Sequence, residues 1–154
     1  MYNLAFFFHI LGVLIFVAGV AVAGVAFEAA RRHGRPGEVA ALLGLARVGA
    51  LLVGAGALVA GAFGLWLVRL GHWGYDSSWV DASIGLFLVA LILGGLGGRA
   101  PRQARRLAGD LAGRDVAASP PELRALLDDP LSRGANYASL LLVLAIVAVM
   151  CFKP

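Results

Sequence analysis

Four stretches of this chain each run for roughly the 20 apolar residues that a helix needs to cross a bilayer's hydrocarbon core. They are Leu4 to Phe27, Val39 to Val68, Val80 to Leu96 and Ala135 to Phe152. No soluble fold of 154 residues needs so many uninterrupted apolar runs, and composition agrees: 60% of residues are hydrophobic and 14% are charged. That is too little charge to cover a water-facing surface. The fold class predicted is therefore all-α: a polytopic membrane protein, one domain over residues 1–154, built as a four-transmembrane-helix bundle. The second stretch, about 30 residues long, exceeds the hydrocarbon thickness and is expected to tilt or to project beyond it. The start, Met1-Tyr2-Asn3-Leu4, lacks the basic segment of a signal peptide, so the first stretch is read as a retained span.

Arginine placement sets the expected orientation. Arg31, Arg32 and Arg35 follow span one; Arg99, Arg102, Arg105, Arg106, Arg114, Arg124 and Arg133 follow span three; only Arg69 and Lys153 fall on the other face. Short loops rich in arginine stay in the cytoplasm, which puts both termini outside (N-out, C-out) in the plasma, or inner, membrane. The net charge of +4 is then a topology signal and implies no nucleic-acid partner. The short turn between spans two and three holds His72, Trp73, Tyr75 and Trp79, an aromatic set suited to the membrane interface.

The long loop of about residues 98–134 is predicted to carry short surface helices. Ala104, Leu107, Ala108 and Leu111 make a narrow apolar stripe among arginines, the pattern of a helix lying on headgroups. Ser119-Pro120-Pro121-Glu122 is a capping-box pattern leading into Leu123, Leu126 and Leu127, and Asp128-Asp129-Pro130 stops that helix. The loop is expected to pack on itself and to face the membrane.

Few polar groups sit at membrane depth, and each has two readings. His9, near the outer end of span one, is either a ligand or a solvated interfacial group; intramembrane ionisable residues are costly enough to signal function. His72 shares its face, and the two imidazoles together could hold a b-type haem, as facing helices do in bundles. In a hairpin folded around Arg35, residues whose numbers add to about 70 to 75 face each other, so Glu28 is expected to pair with Arg47. By the same logic Arg69 is expected to pair with Asp81. Asn136 opens span four as a cap or an interhelical hydrogen-bonding group. Gly12 and Gly19 lie seven apart on one face of span one. Span two carries Ala50, Gly54, Ala57, Gly61 and Gly64, small residues that allow close helix contact. The one cysteine, Cys151, excludes an internal disulfide. No Ser/His/Asp set or pair of intramembrane carboxylates is present, so catalysis is not expected.

Phe8-His9-Ile10-Leu11-Gly12, Gly19, Gly64-Leu65, the Trp79-led third span and the Met150-x-x-Lys153-Pro154 end together resemble the DUF2269 family of predicted integral membrane proteins. That resemblance covers nearly the whole chain and implies a membrane bundle without implying an activity. More distantly, the His-x-x-Gly of span one is similar to four-helix membrane proteins of the CopD and HemJ type. There a first-span histidine is associated with haem or metal, and His9 is the residue to which this extends.

Three functions remain open: an accessory or structural component of a membrane assembly, self-associated or part of a larger complex; a haem-b redox protein using His9 and His72; and a small-solute channel or transporter. The last ranks lowest, because spans one–two and three–four show no internal repeat and offer few interior polar groups.

Overall fold

The computed structural model describes residues 1–71, 77–114, 116 and 118–152. Six helices follow one another: α1 Tyr2–Arg32, α2 Pro36–Leu70, α3 Ser78–Gly97, α4 Arg99–Ala112, α5 Pro121–Leu127 and α6 Pro130–Phe152. No strand occurs among the described residues. Four helical stretches are long and apolar enough to cross a membrane, namely α1, α2, α3 continuing into α4, and α5 with α6.

Local chemistry sets the breaks. Arg35 is extended (φ −100°, ψ 128°), as a residue before proline must be, and Pro36 opens α2 at a position whose N–H would be unpaired anyway. Gly98 separates α3 from α4 but stays in the right-handed region (φ −81°, ψ −4°), so the two helices nearly continue each other. Pro101 cannot donate to the Gly97 carbonyl one turn back, which loosens this junction. Asp129 caps α6: its Oδ2 accepts the Ser132 N–H at 2.8 Å, with Pro130 as the first helical residue. The capping box expected at Ser119 is not formed. Pro120 occupies the N-cap of α5, and the Ser119 N–H is turned to the Gly34 carbonyl at 2.9 Å.

The helices assemble as two antiparallel pairs, α1 with α2 and α3 with α6. In the first pair, glycines admit the partner's backbone. A methyl group on Gly12 would lie 2.5 Å from the Ala60 nitrogen, one on Gly19 2.6 Å from that of Val53, and one on Gly49 2.5 Å from that of Ala23. Gly56 faces the backbone of Phe16 in the same way. The residue numbers in each of these four pairs add to 72, inside the window expected from a hairpin around Arg35. The face of α2 differs from part of the expectation: Gly49 and Gly56, seven apart, line the seam, whereas Ala50 is exposed and Gly54 has open space beside it. Gly61 serves another contact, with the Phe87 ring of α3 at 3.5 Å from its would-be methyl.

At the arginine-rich end the chain builds a conventional core. Ala30, Val39, Leu43, Ala104, Ala108, Leu123 and Leu127 form one buried cluster from α1, α2, α4 and α5. A 35-residue helix such as α2 is about 52 Å long, against a hydrocarbon core of about 30 Å, and its excess packs here. The alanine stripe of α4, which by itself suggests a helix resting on headgroups, is covered by protein instead. Both arginine-rich connections lie at this end, joined by the Ser119–Gly34 hydrogen bond and by Arg124, whose Nη1 donates to the Arg31 carbonyl at 2.8 Å.

Candidate functional site

His9 projects from α1 into the α1–α2 seam. Its Nδ1 lies 2.8 Å from the carbonyl oxygen of Ala60. A carbonyl only accepts, so Nδ1 carries the proton, and in the neutral ring Nε2 keeps a free lone pair. Gly64 stands one turn along α2 from Ala60 and leaves room for the ring: a methyl there would meet Nδ1 at 3.1 Å and Cε1 at 3.2 Å. The neighbouring rings of Phe8 and Phe63 stack at 4.8 Å, and Trp66 lies 5.8 Å from Phe63. His9 is thus half-buried and oriented by a backbone acceptor. A backbone carbonyl holding Nδ1–H is the arrangement by which proteins present Nε2 to a ligand, and equally one by which a histidine ties two helices together. His72, the other imidazole expected here, lies outside the described residues.

The ion pairs differ from those expected. Glu28 does not meet Arg47. Its carboxylate takes Arg31 Nη1 at 2.8 Å and Arg32 Nη2 at 3.5 Å, partners one turn away on its own helix, while Arg47 is exposed. The physical reason is reach: the register brings the backbones of Glu28 and Arg47 to similar depth, but the i, i+3 and i, i+4 arginines are already in place without any tertiary contact. Arg69 and Asp81 are both exposed, and no ion pair joins them. Asn136 does lie between helices, its amide oxygen against Gly97 of α3. Nearby, Ser139 Oγ donates to the Ala90 carbonyl at 3.1 Å, so polar contacts join α3 to α6 where glycines join α1 to α2.

The organising charge at the arginine-rich end is Arg31. Its Nε and Nη2 both reach Asp128 Oδ1, at 3.1 and 2.7 Å, while Nη1 holds Glu28; its side chain is 17% exposed. These residues lie beyond the apolar stretch of α1, which ends at Phe27. The hydrogen bond from Arg31 holds the Glu28 carboxyl below its ordinary range, aided by Arg32, and the Asp128 and Glu28 partners push the Arg31 guanidinium up. Asp129 is likewise lowered, by hydrogen bonds from the Ser132 side chain and backbone. Sequence reasoning misses Arg31–Asp128 because the partners stand 97 positions apart. The Gly49–Gly56 face was findable, since it repeats the seven-residue spacing of Gly12 and Gly19. No group of three or more potential metal-ligating His, Cys, Asp or Glu side chains occurs among the described residues.

The family model described as predicted integral membrane protein (DUF2269) matches residues 3–154. No curated protein and no solved structure matches the chain. The chain belongs to the DUF2269 family.

Proposed function

From membership of DUF2269, we propose that this protein is an accessory or structural component of a membrane assembly. It would sit in the plasma (inner) membrane with its arginine-rich end in the cytoplasm and both termini outside, as the distribution of arginines supports. The observation that carries this reading is the uneven covering of the spans. In the most apolar window of the fourth span 6% of residues are buried, against 28% in each of the first two. Leu141, Leu144 and Val147 of α6 present an open apolar face that a neighbouring copy or another subunit can cover. The exposed Cys151 near the end of α6 reports on such a neighbour. Native electrophoresis and oxidative cross-linking from membranes are expected to show a species larger than the 16.0 kDa chain. A protein that migrates as a monomer from native membranes, with no cross-link or co-purifying subunit, would sink the proposal.

One observation favours a second reading, a b-type haem on His9: the Ala60 carbonyl fixes the tautomer that leaves Nε2 free to ligate iron. The native protein would then show a Soret band that His9→Ala removes. A colourless, folded preparation from haem-replete cells rejects this reading.

A further inference from the structure

Between α4, α5 and the start of α6 lies a shallow, open cleft of about 570 Å³. Its walls change character along its length. Leu96, at the end of α3, and Leu131, at the start of α6, line it where the apolar stretches of those helices end, and Leu131 is 73% exposed. Arg99 and Gln103 of α4, Glu122 of α5 and Asp129 also line it. Arg99 and Glu122 are both exposed, and neither forms an ion pair with any other described residue, including each other. Asp129 is already engaged by the Ser132 side chain and backbone, so the uncommitted charges of the cleft are Arg99 and Glu122.

A cation on α4 and a carboxylate on α5 lining one cleft, neither in an ion pair and both beside apolar surface continuous with two membrane spans, match a molecule with the same order of groups. We propose that the cleft binds a glycerophospholipid whose headgroup carries both a phosphate and a primary ammonium. The phosphate sits at the Arg99 guanidinium with the Gln103 amide beside it, since guanidinium–phosphate hydrogen bonds are among the stronger ones available to a protein. The ammonium, with three N–H donors, faces the Glu122 carboxylate. An acyl chain descends over Leu96 and Leu131 into the bilayer. Complementarity to both headgroup charges separates this from simple attraction of anionic lipid to arginine, which does not use the Glu122 carboxylate. The proposal stands apart from the assembly reading, because it concerns the lipid-facing end of α4–α6 and holds for a monomer or a complex.

The test uses the full chain in mild detergent with equimolar phosphatidylethanolamine, phosphatidylcholine and phosphatidylglycerol of identical acyl chains, with retention read by native mass spectrometry. Phosphatidylethanolamine is expected to be retained about tenfold over the other two, the size of one charge-assisted hydrogen bond. Glu122→Gln should bring it down to the phosphatidylcholine level and leave phosphatidylcholine unchanged; Arg99→Gln should weaken all three. Both side chains are exposed, so helical content should stay at the native value. The comparison between lipids on the unmodified protein needs no variant at all. Equal retention of phosphatidylethanolamine and phosphatidylcholine overturns the proposal. So does phosphatidylglycerol in excess, or a preference that survives both substitutions.

Discussion

The arginine-proximal end of α2 and its middle are packed by different physics. Toward the arginine-rich end its large side chains are buried: Val39 and Leu43 lie with Leu123 and Leu127 in the core, all at most 2% exposed. Along the membrane stretch the pattern inverts. There the seam is made by Gly49, Gly56 and Ala60, while Leu51 and Leu58 point outward at 64% and 76% exposure. Outside the bilayer, water drives leucine inward. Within it, lipid is as apolar as leucine, so burial of a large side chain gains little; close backbone contact between small residues does the joining. One helix therefore obeys two burial rules, and the change marks where the surrounding solvent changes.

Mutations can break this contrast. Leu127→Ala should have the largest effect, about 2–5 kcal/mol, because a cavity forms in a core surrounded by water. Leu58→Ala, the same deletion on the lipid face, should shift stability by less than about 0.5 kcal/mol. SDS-titrated unfolding in mixed micelles would measure both, and equal losses would refute the two-solvent account. Gly56→Ala should come next, at about 1–3 kcal/mol, since the added methyl meets the Phe16 backbone. Gly54→Ala, which meets open space, should be neutral or stabilise the helix by up to about 1 kcal/mol. Ser139→Ala, which removes the bond to the Ala90 carbonyl, should cost only about 0.6 kcal/mol, the usual scale for hydrogen bonds between membrane helices.

Acid should loosen the arginine-rich end before the membrane seam. The folded-state pKa values of Glu28 and Asp129 are lowered, so their contributions are fully present above the unfolded-chain values and are lost as pH falls through the folded ones. For Glu28 the loss begins below about pH 4.5, its ordinary value. Hydrogen exchange should show α5 and the end of α1 losing protection on acidification while the α1–α2 seam keeps it. Asp128→Asn should mimic part of this at neutral pH, at less than about 1 kcal/mol, because Asp128 is exposed. A seam that exchanges first would reverse the assignment.

Much of this was legible along the chain. Spans appear as runs of apolar residues, and the α1–α2 register follows from hairpin arithmetic, because both depend on local sequence and helix geometry. The ion pairs differ from the sequence expectation for the opposite reason: depth in a hairpin fixes how far along two residues sit, but not the rotation of their side chains about each helix. Glu28 stands within one turn of Arg47 in depth and still chooses Arg31, its neighbour one turn away. The α4 stripe was read with the wrong partner, since an alanine face looks the same whether headgroups or Leu123 and Leu127 cover it.

Composition and the spacing of charges alone determined that this chain belongs in a membrane, as helices, with its arginines gathered at one end. Apolar runs of that length have no other solvent in which to be stable. Tertiary structure alone decided which glycines touch, where Arg31 finds Asp128, and that the His9 Nδ1–H donates to the Ala60 carbonyl. Each of those depends on the relative rotation and approach of helices distant in sequence, which no local pattern encodes.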